Sequence, residues 1–167
     1  MSYSIEKRML SPQPVLVVSR RVKRSDIANT IGEALPRVFL YAQQNGIALT
    51  GHPFTRYPDV GPGLLTIEPG MRLAAPDESA LKTDPSWMQT SDASGVRADT
   101  LPGGPAAVTM HVGPYDKLHD AYAALEEWIQ GQGLTPAGAP WESYVTDPGE
   151  VPDPKDWKTE VYWPVRG

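Results

Sequence analysis

The stretch GAPWESY at residues 138–144 repeats the spacing of GHPFTRY at residues 51–57. In both stretches a glycine, a proline, an aromatic residue and a tyrosine occupy the same places, and each stretch follows a helix-like segment that ends in glycine. Self-similarity of this kind indicates two copies of one supersecondary unit, neither of which covers its own apolar face. Two facing half-domains leave a cleft, where small ligands usually bind. The repeat therefore predicts a ligand site between the halves.

Composition indicates one domain without affinity for polyanions. The 167 residues carry a formal net charge of -5, and the basic residues are scattered except for one group within residues 20–24. Direct DNA binding is therefore not expected. With no cysteine, disulfides and thiol catalysis are excluded. The histidines His52, His111 and His119 lack ligand spacing, so we expect neither a metal nor another cofactor.

The start of the chain gives no sign of a targeting or membrane segment. Residues 1–10 read MSYSIEKRML, and no later stretch approaches the ~20 apolar residues of a membrane span. We therefore expect a cytoplasmic protein that makes no membrane contact.

Periodicity divides the chain into a polar lead-in at residues 1–13, a first repeat at 14–73, a connector at 74–95 that contains Trp87 and Met88, and a second repeat at 96–167. Alternating or apolar runs predict strands at residues 15–24, 51–59, 63–73, 96–101, 106–112, 141–146 and 157–165. A Pro-Gly turn is predicted at residues 60–63.

Two helices are predicted between these strands. The first follows an N-cap at Ser25 and ends near Gly46, with a kink or interruption at Pro36. The second begins near Pro114, where the first helical turn tolerates proline, and stops at the glycine at residue 131. Together these elements predict an α+β fold.

The last two strands contain the candidate functional residues. Alternation places Glu160 and Tyr162 on one side of the last strand, and Glu142 and Tyr144 on one side of its partner. If the side that carries Trp and Val packs on a helix, all four polar side chains face the cleft. The alternative is an ordinary solvated sheet face, on which Glu and Tyr are common.

Aromatic residues are abundant near this hairpin. The chain has five tryptophans, at residues 87, 128, 141, 157 and 163. Trp141 and Trp163 are candidates for flat walls that stack on a planar ligand. Tyr57 is the first-copy counterpart of Tyr144. The chain shows neither a phosphate-binding loop nor a nucleophile-elbow spacing.

Three motifs within residues 106–165 are specific. They are His-Val-Gly-Pro-Tyr at 111–115, Glu-x-Tyr-x-Thr-Asp-Pro at 142–148, and Thr-Glu-x-Tyr-x-Pro-Val at 159–165. With them the second repeat closely resembles the GyrI-like (gyrase-inhibitor-like) family, which includes the effector-binding domains of some AraC-type and MerR-type bacterial regulators. The first repeat matches only loosely.

The resemblance implies a duplicated β-α-β-β unit, an antiparallel sheet with two flanking helices, and a central groove for hydrophobic or cationic compounds. It also implies that Glu160 lies in this groove, with walls from Tyr144, Trp141 or Tyr115. Some stand-alone members resemble hydrolases that open cyclopropane-containing toxins, while others bind drugs or inhibit DNA gyrase. No helix-turn-helix precedes residue 15, so a regulatory role is expected to need a partner.

Three functional hypotheses follow. The first is a stand-alone protein that binds apolar, planar or cationic small molecules, with Glu160 supplying the negative charge. The second is a hydrolase of strained electrophiles, in which Glu142 and Glu160 divide proton donation and water activation. The third is binding to a protein partner such as gyrase, through a groove edge or the acidic loop at residues 147–156.

Overall fold

The computed structural model describes residues 3–60, 63–74, 95–147 and 149–167. The described residues form antiparallel strands and two α-helices, which confirms the predicted α+β class. The chain divides into two compact units. The terminal unit contains Met1–Ser11 and Pro102–Gly167, and the middle unit contains Pro12–Leu101.

The elements are given in chain order. They are β1 Ile5–Leu10, β2 Gln13–Val18, β3 Arg20–Lys23, α1 Ile27–Gln44, β4 Leu49–Val60, β5 Leu64–Leu73, β6 Val96–Leu101, β7 Gly104–Val112, α2 Leu118–Gly131, β8 Thr135–Pro136, β9 Trp141–Tyr144 and β10 Lys158–Arg166. Short 3-10 turns occur at Arg24–Asp26, Tyr115–Lys117 and Pro154–Asp156.

In the middle unit the strands lie in the order β4-β5-β2-β6, and β3 also pairs with β5. Helix α1 covers one face of this sheet, where Val38 packs with Leu16 and Met71 in a buried cluster. Gly70 lies so close to the backbone of Leu16 that a Cβ atom at this position would clash with it. The absence of a side chain at residue 70 therefore permits the close pairing of β5 with β2.

Helix α1 differs from its prediction at both the N-cap and the proline. Ser25 belongs to the preceding 3-10 turn, and Asp26 precedes the helix without a side-chain capping bond. The helix continues through Pro36 without the predicted interruption. Ala34 and Val38 on either side of the proline are fully buried, so apolar packing compensates for the one missing backbone hydrogen bond.

In the terminal unit the strands lie in the order β1-β7-β10-β9, and β8 pairs with the end of β10. Helix α2 packs on one face of this sheet, where Leu125 and Ile129 join Val161 and Val165 in a buried cluster. Leu125 and Ile129 are four residues apart, which places them on one face of the helix.

Two edge strands differ from the predicted organisation. The lead-in contains β1, whose Ile5 pairs with Thr109 of β7. Strand β6, assigned from sequence to the second repeat, pairs with β2 of the middle unit, with Val17 opposite Arg97. Alternation identifies a strand, but it does not show which sheet edge that strand joins. Residues 75–94 of the predicted connector, which include Trp87 and Met88, and the turn residues 61–62 lie outside the described residues.

None of the helices in the described part of the chain has both the length and the apolar character that crossing a bilayer requires.

Candidate functional site

The pairing of β9 with β10 determines which candidate residues share a face. Trp141 lies opposite Tyr162 and Ser143 lies opposite Glu160, whereas Glu142 lies opposite Val161. Directly opposed residues point to the same side of a sheet. Glu142 and Glu160 therefore lie on opposite faces, and the prediction that both face one cleft is wrong. The acid-base pair of the hydrolase hypothesis depended on that shared face.

The two faces have different surroundings. The helix face packs on α2 and carries Glu142 and Tyr144 together with the buried Val161. The opposite face, called the Glu160 face, carries Trp141, Glu160 and Tyr162, and the register extends it through β7 to β1. On β1 the charged side chains of this face are Glu6 and Arg8, and on β10 Lys158 precedes Glu160 by two residues on the same face.

An aromatic pair occupies the Glu160 face. The rings of Trp141 and Tyr162 stack with centroids 5.3 Å apart and planes inclined by only 12°. Both residues are buried, at 2% and 7% exposure. Directly opposed aromatic residues are favoured cross-strand neighbours, which accounts for this contact.

The carboxylate of Glu160 lies beside this pair. It accepts a hydrogen bond from the hydroxyl of Tyr162 on the same strand. One of its oxygens lies 3.7 Å from Nη1 of Arg8. The side chain of Glu160 is 22% exposed, so the charge is partly withdrawn from water while one side remains accessible.

Arg8 is held from two directions. Its Nε and Nη2 donate to one oxygen of Glu6 at 3.0 and 2.5 Å. Its Nη1 lies 3.5 Å from the hydroxyl of Tyr162, and the guanidinium carbon lies 5.9 Å from the centroid of that ring. The pKa of Arg8 is above its ordinary value, chiefly because of the hydrogen bond to Glu6; attraction to Glu160 adds to the increase and desolvation opposes it.

On the helix face, Glu142 is buried at 4% exposure and accepts a hydrogen bond of 3.0 Å from the hydroxyl of Tyr122 on α2. Withdrawal of this hydroxyl from water raises the pKa of Tyr122 well above its ordinary value, and the charge and hydrogen bond of Glu142 add to the increase. Trp163 meets the ring of Tyr122 edge-on at 6.0 Å. The helix-face glutamate therefore joins the sheet to the helix.

Tyr115 and Tyr144 contribute to a second aromatic group on the helix side. The ring of Tyr115 lies 5.6 Å from that of Tyr144 and 4.7 Å from that of Trp157. Burial raises the pKa of Tyr115, and the negative charges of Asp147 and Glu142 raise it further. Rings at these separations are in direct contact, so no ligand fits between them.

The remaining candidates lie elsewhere. Tyr57 is half-buried in β4 of the middle unit. His111 is buried, with Nδ1 2.9 Å from the hydroxyl of Tyr3 and Nε2 3.0 Å from the carbonyl oxygen of Pro114. Because a carbonyl only accepts, Nε2 donates to Pro114. Within the ranges that the structure describes, no cluster of three or more acidic or histidine side chains is placed to hold a metal.

Two open surface cavities lie apart from the candidate residues. One, of about 460 Å³, is in the terminal unit and is lined by Tyr3, Trp128 and neighbouring residues of β1 and α2. The other, of about 400 Å³, is in the middle unit beside Arg21 and Leu64. Neither cavity is lined by a residue predicted to bind ligand. The candidate site is therefore defined by its charged and aromatic contacts and not by either of these cavities.

The middle unit carries a cluster of charged side chains around Glu68. In the β4–β5 pair Arg56 lies opposite Glu68, as Ser143 lies opposite Glu160 in β9–β10. Glu68 is buried and forms ion pairs with Arg56 at 2.7 Å and with Arg97, and both arginines also contact Asp99. Two positive and two negative side chains make this cluster neutral.

Arg8 and Glu68 were not among the residues singled out from the sequence. The signal for Arg8 was present in IEKRML at residues 5–10, where the opposite charges of Glu6 and Arg8 have the two-residue spacing of one strand face. It was missed because three charged residues in a row are more typical of a solvated lead-in.

Comparisons with known proteins bear on the family and the fold. The family model described as GyrI-like small molecule binding domain matches residues 3–166. No curated protein sequence matches the chain.

Solved structures share the fold at low sequence identity. The C-terminal domain of EcmrR superposes with a TM-score of 0.80 at 22% identity and covers 99% of each chain. A hydrolase from Listeria innocua gives 0.59 at 19% identity, over 97% of this chain and 91% of that one. SAV2435 bound to tetraphenylphosphonium gives 0.56 at 11% identity, over 100% and 95% of the respective chains.

Proposed function

The chain belongs to the GyrI-like small-molecule binding domain family, and from this premise we propose that it binds apolar organic cations on the Glu160 face of its terminal unit. The proposed contacts are the carboxylate of Glu160 and the aromatic pair Trp141 and Tyr162.

The observation that carries this proposal is the position of the Arg8 guanidinium. This planar cation lies over the ring of Tyr162, 5.9 Å from its centroid, and 3.7 Å from the carboxylate of Glu160. A ring face and a carboxylate are the groups that recognise an organic cation in a protein. The guanidinium of Arg8 thus occupies the position proposed for the cationic ligand.

The charge balance supports a cationic ligand. The positions that correspond to the neutral cluster of the middle unit are occupied in the terminal unit by Glu6, Arg8, Ser143 and Glu160. Within this set of four positions, two carboxylates and one guanidinium leave an excess of one negative charge, and the next cation on the same face, Lys158, is exposed to solvent. A partly buried excess charge is unfavourable unless a partner compensates for it, and a bound cation supplies that partner.

Aromatic stacking supports an apolar ligand. A cation over a tyrosine or tryptophan face gains about 0.5–2 kcal/mol, more where water is excluded. The burial of Trp141 and Tyr162 provides such surroundings. Tetraphenylphosphonium, which is bound in the solved structure of SAV2435, combines a permanent charge with four phenyl groups and is a suitable probe.

The proposal includes a duplication, in which the middle and terminal units derive from two copies of one structural unit. The support is that each motif copy overlaps the first strand of an antiparallel pair and that, in both pairs, a glutamate on the second strand lies opposite the same motif position. On this basis the two copies have diverged, with an internally neutral cluster around Glu68 and a ligand site at Glu160.

The test compares a cation with a neutral molecule of similar shape. Isothermal titration with tetraphenylphosphonium and with triphenylphosphine oxide measures both affinities for the wild type, for Glu160→Gln and for the control Glu126→Gln, which removes an exposed charge from α2. Glu160→Gln is expected to weaken phosphonium binding about tenfold without weakening that of the oxide. Equal phosphonium affinity in the wild type and Glu160→Gln would overturn the assignment of the site.

A further inference from the structure

We propose that Arg8 is a tethered competitor of the cationic ligand, so that the strength of its hold on Glu160 determines which cations bind. This inference rests on the proposed function. It assigns a specificity-determining role to an N-terminal strand residue, which must leave the carboxylate when ligand arrives.

The position of Arg8 in the sheet is the first support. Strand β1 pairs with β7, with Glu6 opposite Val108 and Arg8 opposite Ala106. The corresponding strand of the middle unit is β6, where Arg97 lies opposite Val17 and Asp99 lies opposite Val15. The order of charges is thus reversed between the two edge strands. In the terminal unit this reversal places a single guanidinium between two carboxylates.

The second support is that the two carboxylates bind the Arg8 guanidinium with unequal strength. Arg8 donates twice to Glu6, at 3.0 and 2.5 Å, but its closest approach to Glu160 is 3.7 Å, beyond normal hydrogen-bond length. Arg8 therefore keeps its stronger partner if it leaves Glu160. The geometry allows a ligand to take over the carboxylate and the ring of Tyr162 without leaving a guanidinium unpaired.

Competition for one carboxylate has a consequence for ligand choice. A neutral ligand that displaces Arg8 leaves Glu160 without a positive partner, whereas a cationic ligand replaces the charge it removes. The hydroxyl of Tyr162 continues to donate to Glu160 in either case. A ligand without N–H donors is therefore sufficient, and the preferred class is a permanent apolar cation such as a phosphonium or a quaternary ammonium.

The test measures tetraphenylphosphonium affinity by isothermal titration in Arg8→Gln and in the matched control Lys7→Gln. Lys7 is the next residue on β1, is exposed and points to the other side of the strand. Arg8→Gln is expected to tighten binding about tenfold, while Lys7→Gln leaves it nearly unchanged. Equal effects of the two substitutions would overturn the inference, because they would show only a general charge effect.

A second comparison examines whether Glu6 acts through Arg8. Glu6→Gln removes the stronger partner of Arg8 and is expected to weaken phosphonium binding, because Arg8 then pairs more fully with Glu160. In Arg8→Gln the added Glu6→Gln change should have much less effect. The same loss in both backgrounds would contradict the mechanism. Thermal unfolding of each variant verifies that it is folded.

The two proposals fail in different ways. If neither the wild type nor Arg8→Gln binds phosphonium, the proposed function is wrong and the inference falls with it. If the wild type binds and Glu160→Gln weakens binding, but Arg8→Gln does not tighten it, the proposed function stands and the competitor role of Arg8 is wrong.

Discussion

Trp141 and Tyr162 face each other across the β9–β10 pair, and their rings are stacked at 5.3 Å. The corresponding pair in the middle unit is Phe54 and Gly70, which offers a single ring. The stacked pair is therefore specific to the terminal unit, on the same face as Glu160. This coincidence of ring surface and carboxylate is the basis of the proposed site.

Replacing Trp141 by leucine should weaken ligand binding. The substitution removes one face of the aromatic pair while keeping an apolar side chain, so phosphonium affinity is expected to fall roughly fivefold to tenfold, about 1 kcal/mol. Isothermal titration measures the affinity. Stability should also fall, by about 2–3 kcal/mol, because a large buried side chain becomes smaller.

Trp163→Leu is the matched control for this prediction. Trp163 lies on the same sheet but on the helix face, against Tyr122. Its replacement is expected to lower the free energy of unfolding while leaving phosphonium affinity unchanged. A larger loss of affinity in Trp163→Leu than in Trp141→Leu would mean that the ligand binds on the helix face.

Glu68→Gln should affect stability but not ligand binding. Glu68 is 4% exposed at its side chain and is paired with two arginines, so its neutralisation leaves the largely buried guanidinium of Arg56 and the more exposed one of Arg97 with Asp99 as their shared carboxylate. The expected loss is about 3 kcal/mol in the free energy of unfolding, measured by urea denaturation. Phosphonium affinity should match that of the wild type.

The control for this change is Glu33→Gln in the same unit. Glu33 forms an exposed ion pair with Arg37, which contributes less than about 1 kcal/mol. Similar stability losses in both variants would contradict a buried, mutually compensated cluster around Glu68.

Tyr122 should make stability depend on alkaline pH. Its pKa in the folded protein is raised well above the ordinary value of about 10. Because this pKa is raised on folding, the contribution of the protonated Tyr122 hydroxyl to the free energy of unfolding is fully present below about pH 10. It is lost as the pH rises toward the folded-state pKa. The wild type should therefore lose up to about 1.4 kcal/mol per pH unit more than Tyr122→Phe in this range.

Urea unfolding from about pH 9 to pH 11 measures this difference. At neutral pH, Tyr122→Phe is expected to be less stable than the wild type by about 1–2 kcal/mol, because the hydroxyl donates to a carboxylate. Parallel stability curves for the two proteins across the alkaline range would contradict a proton held on Tyr122 by burial and by Glu142.

The sequence was sufficient to predict the α+β class and the family. It was not sufficient to predict the register of β9 against β10, and hence which of their side chains share a face. Alternation correctly separates Glu160 from Val161 within β10. It does not relate β10 to β9, since a shift of one residue reverses every side chain of a strand. The residues 145–157 that separate β9 from β10 in the sequence are too many for a tight turn to fix the register of the pair, and Glu142 is therefore predicted on the wrong side.

Edge strands account for the other main difference. β1 carries Glu6 and Arg8 on one face, a pattern that also fits a solvated segment, and nothing in the local sequence indicates its pairing with β7. Such long-range pairings depend on which sheet edge is open. The contacts of Arg8 with Glu160 and Tyr162 consequently depend on a strand pairing that the local sequence does not indicate.

A crystal structure of the wild-type protein with tetraphenylphosphonium tests the central claim most directly. The account predicts the phosphorus atom within about 6 Å of the ring of Tyr162 or Trp141, close to the carboxylate of Glu160, with Arg8 turned toward Glu6. A phosphonium bound on the helix face beside Tyr115, or one bound while Arg8 keeps its contact with Glu160, would contradict it.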